Sequence, residues 1–225
     1  MCIRDRVASG SDGILAGLPP GKIWVEMSTV SPRASRALAE RVSALGATML
    51  DAPVSGSVPQ VQEGTLTIMV GGDEDAYTSV EPLLRELGKP AHIGENGQGL
   101  VLKLAINISL AVQMLVFAEG LLLADRAGVD RALAVEVMTG SAIGSPMLKA
   151  RAAFVLDLPD EAWFDIGLMQ KDVALALDTG RQLRVPLPSA AVADEQLTVA
   201  RALGYERRDL AGLFEVLAQL AGEPA

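Results

Sequence analysis

The sequence predicts an α/β segment over residues 1–94 followed by an all-α segment over residues 95–225. Three observations predict it. Up to about Ile93, short β-branched runs alternate with helical stretches, and after Gly97 nearly every stretch has helical periodicity. Between them lies a glycine-rich segment, Gly94–Gly99. In chain order, Met1–Arg6 (MCIRDR) matches no element and is treated as artefactual, foreign to the fold. Lys22–Met27 has the composition of a strand, and Ser31-Pro32 opens a helix through Leu45 that Gly46 closes. Thr48–Leu50 is a second strand. Thr65–Val70 (TLTIMV) alternates as a strand does, Gly71-Gly72 turns, Asp73 caps a helix to Leu87, and Ala91–Ile93 is a last strand. This β-α-β-α order is half of a doubly wound sheet whose beginning is missing. Six helices are then expected, over 98–127, 131–139, 146–156, 167–183, 188–203 and 209–221, with the GEPA tail frayed.

Half the residues (50%) are hydrophobic, which supports a sizeable core in a chain of 225 residues. A net charge of −9 argues against a phosphate-backbone partner, so no nucleic acid is expected. One cysteine, Cys2, cannot form an internal disulfide, and with the one histidine, His92, it cannot furnish a usual zinc site. No metal is expected. No leader of secretory type opens the chain, so a cytoplasmic location is the default. Leu104–Ala124 is apolar enough to suggest a membrane span, but Asn107, Ser109, Gln113 and Glu119 interrupt it, each costly in lipid. It is expected instead to be an internal strut of a protein without a membrane partner.

Several segments carry candidate chemistry. Asp51–Ser57 (DAPVSGS) follows a strand and should lie in a loop at its carboxyl end, where open α/β sheets bind ligands. Ser55 offers a hydroxyl, and Gly56 lets a ligand approach the backbone, a pairing suited to a carboxylate; an ordinary turn fits the same spacing. Gly97-Gln-Gly99 fails as a dinucleotide fingerprint, because Leu102 stands where a third glycine is needed. It suits close passage of another chain or ligand at the helix start. One turn apart on that helix, Lys103 and Asn107 share a face and should both be buried. A buried lysine must pair, lose its proton or do chemistry. Asp73, Glu74 and Asp75 exclude phosphate from the Gly71-Gly72 turn and fit a capped helix start. Lys171-Asp172 by itself reads as a surface pair, and His92 as a packed or solvated residue without a role.

Taken in order, Met27–Pro32 (MSTVSP), Asp51–Gly56, the GxGxxxKxxxN run Gly97–Asn107 and the FxxxxxxKD run Phe164–Asp172 resemble motifs of the β-hydroxyacid dehydrogenase family, which includes 3-hydroxyisobutyrate dehydrogenases and tartronate semialdehyde reductases. The resemblance runs from about Val7 to Ala221. It implies an α/β partial Rossmann-like domain joined through a long interdomain helix to an all-α domain of the 6-phosphogluconate dehydrogenase type. It implies reversible hydride transfer between NAD or NADP and a short 3-hydroxy acid or its semialdehyde, in a homodimer or homotetramer associating largely through the helical parts. By the same resemblance Lys103 is the general acid/base, Asn107 orients it or the substrate, and Ser55 and Gly56 hold the carboxylate. Thr29 lies near the nicotinamide end of the cofactor, and Phe164 and Lys171 close the cofactor side.

Two departures stand out. Ser57 occupies the place of a second glycine in the family's loop, adding a side chain beside the carboxylate site. The glycine-rich dinucleotide motif is not found, so roughly ninety residues, the first βαβαβ half of such a domain, are expected to be missing and the chain alone not to be fully competent. The rival readings are a non-catalytic helical dimerisation module, against which the Lys103 and Asn107 pair speaks, and an imine reductase-like enzyme, against which Lys103 speaks.

Overall fold

The computed structural model describes residues 3–222; Cys2 and the GEPA tail beyond Gly222 lie outside the described residues. The chain divides into two compact units, Met1–Lys103 and Leu104–Ala225. The division falls after Lys103 rather than at the glycine-rich segment, because the first turn of the helix that follows that segment is tied to the sheet.

In the first unit the elements are α1 (Ile3–Ser9), α2 (Ile14–Gly17), β1 (Ile23–Glu26), α3 (Pro32–Ser43), β2 (Thr48–Asp51), β3 (Val54–Ser55), α4 (Val58–Glu63), β4 (Leu66–Gly71), α5 (Glu74–Arg85) and β5 (Gly88–Gly94). Two of the termini are set as their sequences predict. The Ser31 hydroxyl accepts the Ala34 N–H at 3.4 Å with Pro32 in the first turn of α3, and the Asp73 carboxylate accepts the Ala76 N–H at 2.8 Å ahead of Glu74 and Asp75. Ile3–Arg6 were expected to form no element and instead belong to α1, whose Ala8 is buried against Leu38 and Val42.

The sheet has the order β1-β2-β4-β3, with β5 also paired to β4. β1 and β2 run parallel from Ile23↔Thr48 to Glu26↔Asp51, and β4 and β5 run parallel from Leu66↔Gly88. β4 is antiparallel to β2 at Asp51↔Gly71 and to β3 at Val54↔Ile68 and Ser55↔Thr67. The sheet is therefore parallel-rich but mixed. Between β2 and β4 the chain has only β3 and the short α4, too little for the crossover helix that a parallel neighbour needs. Alternation along β2 sends Met49 into one apolar cluster with Leu38, Val42 and Trp24, and Leu50 into the other with Ile68, Val70 and Leu84.

α6 (Gln98–Arg126) is one continuous helix, and by length and composition it could cross a membrane. In the second unit it is a core helix: Ala111, Met114, Leu115, Ala118 and Leu121 recur at helical spacing and are buried with Phe117. Its burial is one-sided, since Val116 is 52% and Leu123 is 75% exposed, so the expectation of a strut enclosed all round is corrected. Around it stand α7 (Arg131–Gly140), α8 (Pro146–Arg151) continued by a 3-10 turn at Ala152–Val155, α9 (Ile166–Leu183), α10 (Pro188–Ala202), and a 3-10 turn at Leu210–Gly212 leading into α11 (Leu213–Leu220). Met169 and Val173 of α9, Leu197 of α10 and Phe214 of α11 complete this core. The Trp163 ring meets Phe154 edge-on at 4.7 Å.

A buried ion pair fixes the segment ahead of α9. Arg151 Nη1 lies 2.5 Å and 2.7 Å from the two carboxylate oxygens of Asp209, which is wholly buried. The same carboxylate accepts backbone N–H groups from Trp163, Phe164 and Ala211 at 2.9, 3.2 and 3.0 Å. Four donors on one buried anion satisfy the requirement that a charge removed from water be fully bonded.

Candidate active site

The candidate residues of the first unit leave the sheet at one end. Because β1 and β2 are parallel and finish in register at Glu26↔Asp51, the segment carrying Thr29 and the segment carrying Ser55 emerge together at their carboxyl ends. Thr29 is half-buried in the turn before α3, behind a Ser28 N–H that donates to the Glu26 carboxylate at 2.9 Å.

Ser55 was expected in an open loop. It sits instead in the two-residue strand β3, half-buried and opposite Thr67 of β4. The backbone before it is held as well: the Ala52 N–H donates to Glu26 O at 2.7 Å, and the Met69 N–H to Pro53 O at 3.0 Å. Gly56 follows at φ +137, where a Cβ would stand 2.7 Å from Leu66 Cδ2, so glycine is required for the turn out of β3. Ser57, the departure from a second glycine, precedes α4 as its N-cap, and its N–H donates to the Gln60 side chain at 2.8 Å. The extra side chain begins a helix at this point.

Asp51, first residue of the same motif, is wholly buried. Its Oδ1 accepts the Gly97 N–H at 2.6 Å and its Oδ2 accepts the Leu100 N–H at 3.0 Å. These are N–H groups at the start of α6 that have no partner within the helix. Burial pushes the Asp51 carboxyl above its ordinary value, opposed by the Gly97 and Leu100 N–H groups and the Asn96 side chain. The glycines around it make room. A Cβ on Gly71 would come 2.7 Å from Asp51 Oδ1, and one on Gly99 would come 2.3 Å from Met69 O and 3.0 Å from Asp51 Oδ2. The close passage expected at Gly97-Gln-Gly99 is thus that of β4 and of the Asp51 carboxylate.

Lys103 follows Leu100 by less than a turn of α6. It is partly exposed rather than buried as expected, with Leu102 open to solvent on one side and Leu104 buried on the other. Asn107, one turn further, is buried, and its amide donates to Asp172 Oδ2 at 2.5 Å. Asp172 is therefore no surface residue. Lys171 is exposed and lies with Nζ 2.7 Å from Asp172 Oδ1, so this one carboxylate serves both Asn107 and Lys171. Phe164 is half-buried against the helical core, its N–H on Asp209 and its carbonyl accepting the Leu210 N–H at 3.1 Å. His92 stacks on Tyr77 with 5.2 Å between ring centroids and bonds Gly72 O at 2.8 Å.

Two residues of this arrangement stand inside the quoted motifs, yet the motif spacing does not give their burial. Asp172 could have been found from helical spacing, because Met169, Val173 and Ala176 form the buried stripe of α9 and Asp172 falls within it. Asp51 could not, since its burial depends on a helix that begins far along the chain.

Residues 3–99 match the NAD binding domain of 6-phosphogluconate dehydrogenase, and residues 97–217 match the NAD-binding domain of NADP-dependent 3-hydroxyisobutyrate dehydrogenase. A 2-hydroxy-3-oxopropionate reductase of Escherichia coli is 35% identical over 218 residues, covering 96% of this chain and 75% of that protein. The chloroplastic glyoxylate/succinic semialdehyde reductase 2 of Arabidopsis thaliana is 34% identical over 212 residues, covering 94% of this chain; the chain spans 59% of that protein's length. In three dimensions, 3-hydroxyisobutyrate dehydrogenase from Salmonella typhimurium matches with a TM-score of 0.86 at 30% identity, covering 94% of this chain and 74% of that one. With both family descriptions met in order along the sequence, the chain belongs to the β-hydroxyacid dehydrogenase family of NAD(P)-dependent oxidoreductases.

Proposed function

We propose that the protein reversibly transfers hydride between NAD or NADP and a short 3-hydroxy acid or its semialdehyde, with Lys103 as the general acid/base. The observation that carries this reading is the run of α6 from Lys103, partly exposed on an apolar helix, to Asn107, buried and fixed by Asp172. A lysine beside a rigidly held amide is suited to proton transfer at a substrate oxygen.

The residues present fit the nicotinamide end of a dinucleotide. The carboxyl ends of parallel β1 and β2 are where open α/β sheets hold such ligands, and Thr29 leaves the sheet there. In the second unit, Phe164 and Lys171 are the residues proposed for the cofactor. A bound nicotinamide supplies or accepts the hydride. The chain's own residues do the rest: Lys103 gives a proton to the substrate oxygen as the carbonyl is reduced and takes it back in the reverse direction. Ser55 and the Gly56 backbone hold the carboxylate, and Asn107 keeps the polar face of α6 in place.

The protein is further proposed to be cytoplasmic and to work as a homodimer or homotetramer. Association is supported by the exposure of Val116 and Leu123 on α6 and of Val137 on α7. Metal and nucleic acid have no part in the reading.

The test is an absorbance assay of the whole gene product with NADH and NADPH against 2-hydroxy-3-oxopropionate, the semialdehyde of 3-hydroxyisobutyrate, and uncharged aldehydes of similar size. Ser55→Ala is expected to raise KM for the acids about tenfold or more, the loss of one hydrogen bond to a charged group, and to leave KM for uncharged aldehydes nearly unchanged. Equal effects on both would remove Ser55 from the carboxylate site. Absence of cofactor oxidation with every semialdehyde would remove the substrate class.

A further inference from the structure

We infer that Asp51 is a positioning residue for the reaction: its buried carboxylate clamps the start of α6 to the strand that leads into the carboxylate-binding segment, and so sets the distance between Lys103 and Ser55. The inference rests on the role proposed above for Lys103.

The geometry assembles it from both directions. Forward from Asp51, the chain reaches Ser55 in four residues, and the backbone over that stretch is bonded to Glu26 on one side and Met69 on the other. Backward from Lys103, the chain reaches Leu100 in three residues of regular helix, and the Leu100 N–H is held by Asp51 Oδ2 at 3.0 Å. The Gly97 N–H on Oδ1 at 2.6 Å prevents the helix start from pivoting about the second bond. Very little chain on either side is left unfixed.

The surroundings are adapted to a carboxylate in particular. Gly71 and Gly99 lie where any side chain would strike its oxygens, and Gly97 holds a φ of +87 that turns the chain into the helix. The amide of Asn96 supports the site from its partly exposed rim by donating to Met49 O at 2.8 Å, and it contributes a hydrogen bond to Asp51. A helix start also carries partial positive charge, which favours an anion there over a neutral cap. An ordinary surface cap would need none of these three glycines and no burial. The arrangement removes rotational and translational slack from the helix end that bears the lysine, and misplacement of a catalytic group by about 1 Å can cost 100-fold in rate.

The experiment uses Asp51→Asn, Asn96→Ala and Lys103→Ala in the whole gene product, beside the unaltered protein. Hydrogen exchange is measured over residues 97–103, and kcat and KM are measured with NADPH or NADH and 2-hydroxy-3-oxopropionate or the semialdehyde of 3-hydroxyisobutyrate. Asp51→Asn keeps the shape but replaces one acceptor by a donor. It is expected to speed exchange over 97–103 and to lower kcat by about 10- to 100-fold while KM for the cofactor stays within about twofold. A purely structural cap would lower stability and leave kcat of the folded protein unchanged, and that result, or unchanged exchange over 97–103, overturns the inference. Should Asp51→Asn not fold, Asn96→Ala loosens the same clamp from its rim and must lower kcat in the same direction; an unchanged kcat there overturns it equally. Lys103→Ala separates the two ideas. Normal turnover in that variant removes the lysine role and this inference together, whereas an inactive Lys103→Ala beside a fully active Asp51→Asn removes only the inference.

Discussion

Lys103→Ala in the whole gene product is expected to lower kcat by about 100- to 10,000-fold, the usual loss when a general acid/base is removed, with the fold and cofactor affinity nearly intact. The stability side of this expectation follows from the position of Lys103. Its side chain is partly exposed on a helix whose core contacts come from Leu104, Ala111 and their neighbours, so truncation opens no cavity. Lys103→Arg sharpens the result. Arginine preserves the positive charge but does not give up its proton, so a charge-stabilising role would survive that change and a proton-transfer role would not. Turnover, stability and cofactor affinity are read by nicotinamide absorbance, thermal unfolding and fluorescence titration. Near-normal kcat in the alanine variant would sink the proton-transfer role.

The largest loss of stability is expected from Asp209→Ala. That change strands Arg151, whose side chain is only 6% exposed, and leaves the N–H groups of Trp163, Phe164 and Ala211 without their acceptor. Breaking a buried pair from one side costs about 3–5 kcal/mol. The double variant Arg151→Met with Asp209→Asn is expected to recover part of this, because no charge remains unpaired and the asparagine oxygen can still take a backbone N–H. Urea unfolding of the three proteins measures it. A loss below about 1 kcal/mol for Asp209→Ala would place this carboxylate among the weakly contributing ion pairs of a surface. Because the same carboxylate anchors Phe164, the variant should also show faster hydrogen exchange over 163–166.

The parts of the fold that were legible in the sequence are those encoded locally. Thr65–Val70 alternates strongly enough to be read as a strand, and the structure starts and ends it within one residue, at Leu66–Gly71. The Ser31-Pro32 and Asp73 helix starts were legible because a cap and its partner lie three residues apart. β3 was not, since two residues carry no periodicity and are a strand only because β4 lies beside them. The antiparallel course of β4 was hidden for the same reason. Within the site, the spacing of Lys103 and Asn107 was evident, but the burial of Lys103 was overestimated, because an apolar helix can hold one face in the core and leave another open. The clamp at Asp51 and the ion pair of Arg151 with Asp209 join residues 46 and 58 positions apart, and no local pattern announces such a contact.

The two tryptophans provide a built-in pair of optical reporters. Trp24 lies in β1 against the Leu38, Val42 and Met49 cluster of the first unit, and Trp163 lies beside Phe154 and the Asp209 anion in the second. Each therefore sits in a different core with its own quenching surroundings. Single-tryptophan versions made by Trp24→Phe or Trp163→Phe would let emission from one unit be followed while the other is silent. Two coincident unfolding curves would mean that the units melt as one cooperative block, and two displaced curves would assign a separate stability to each.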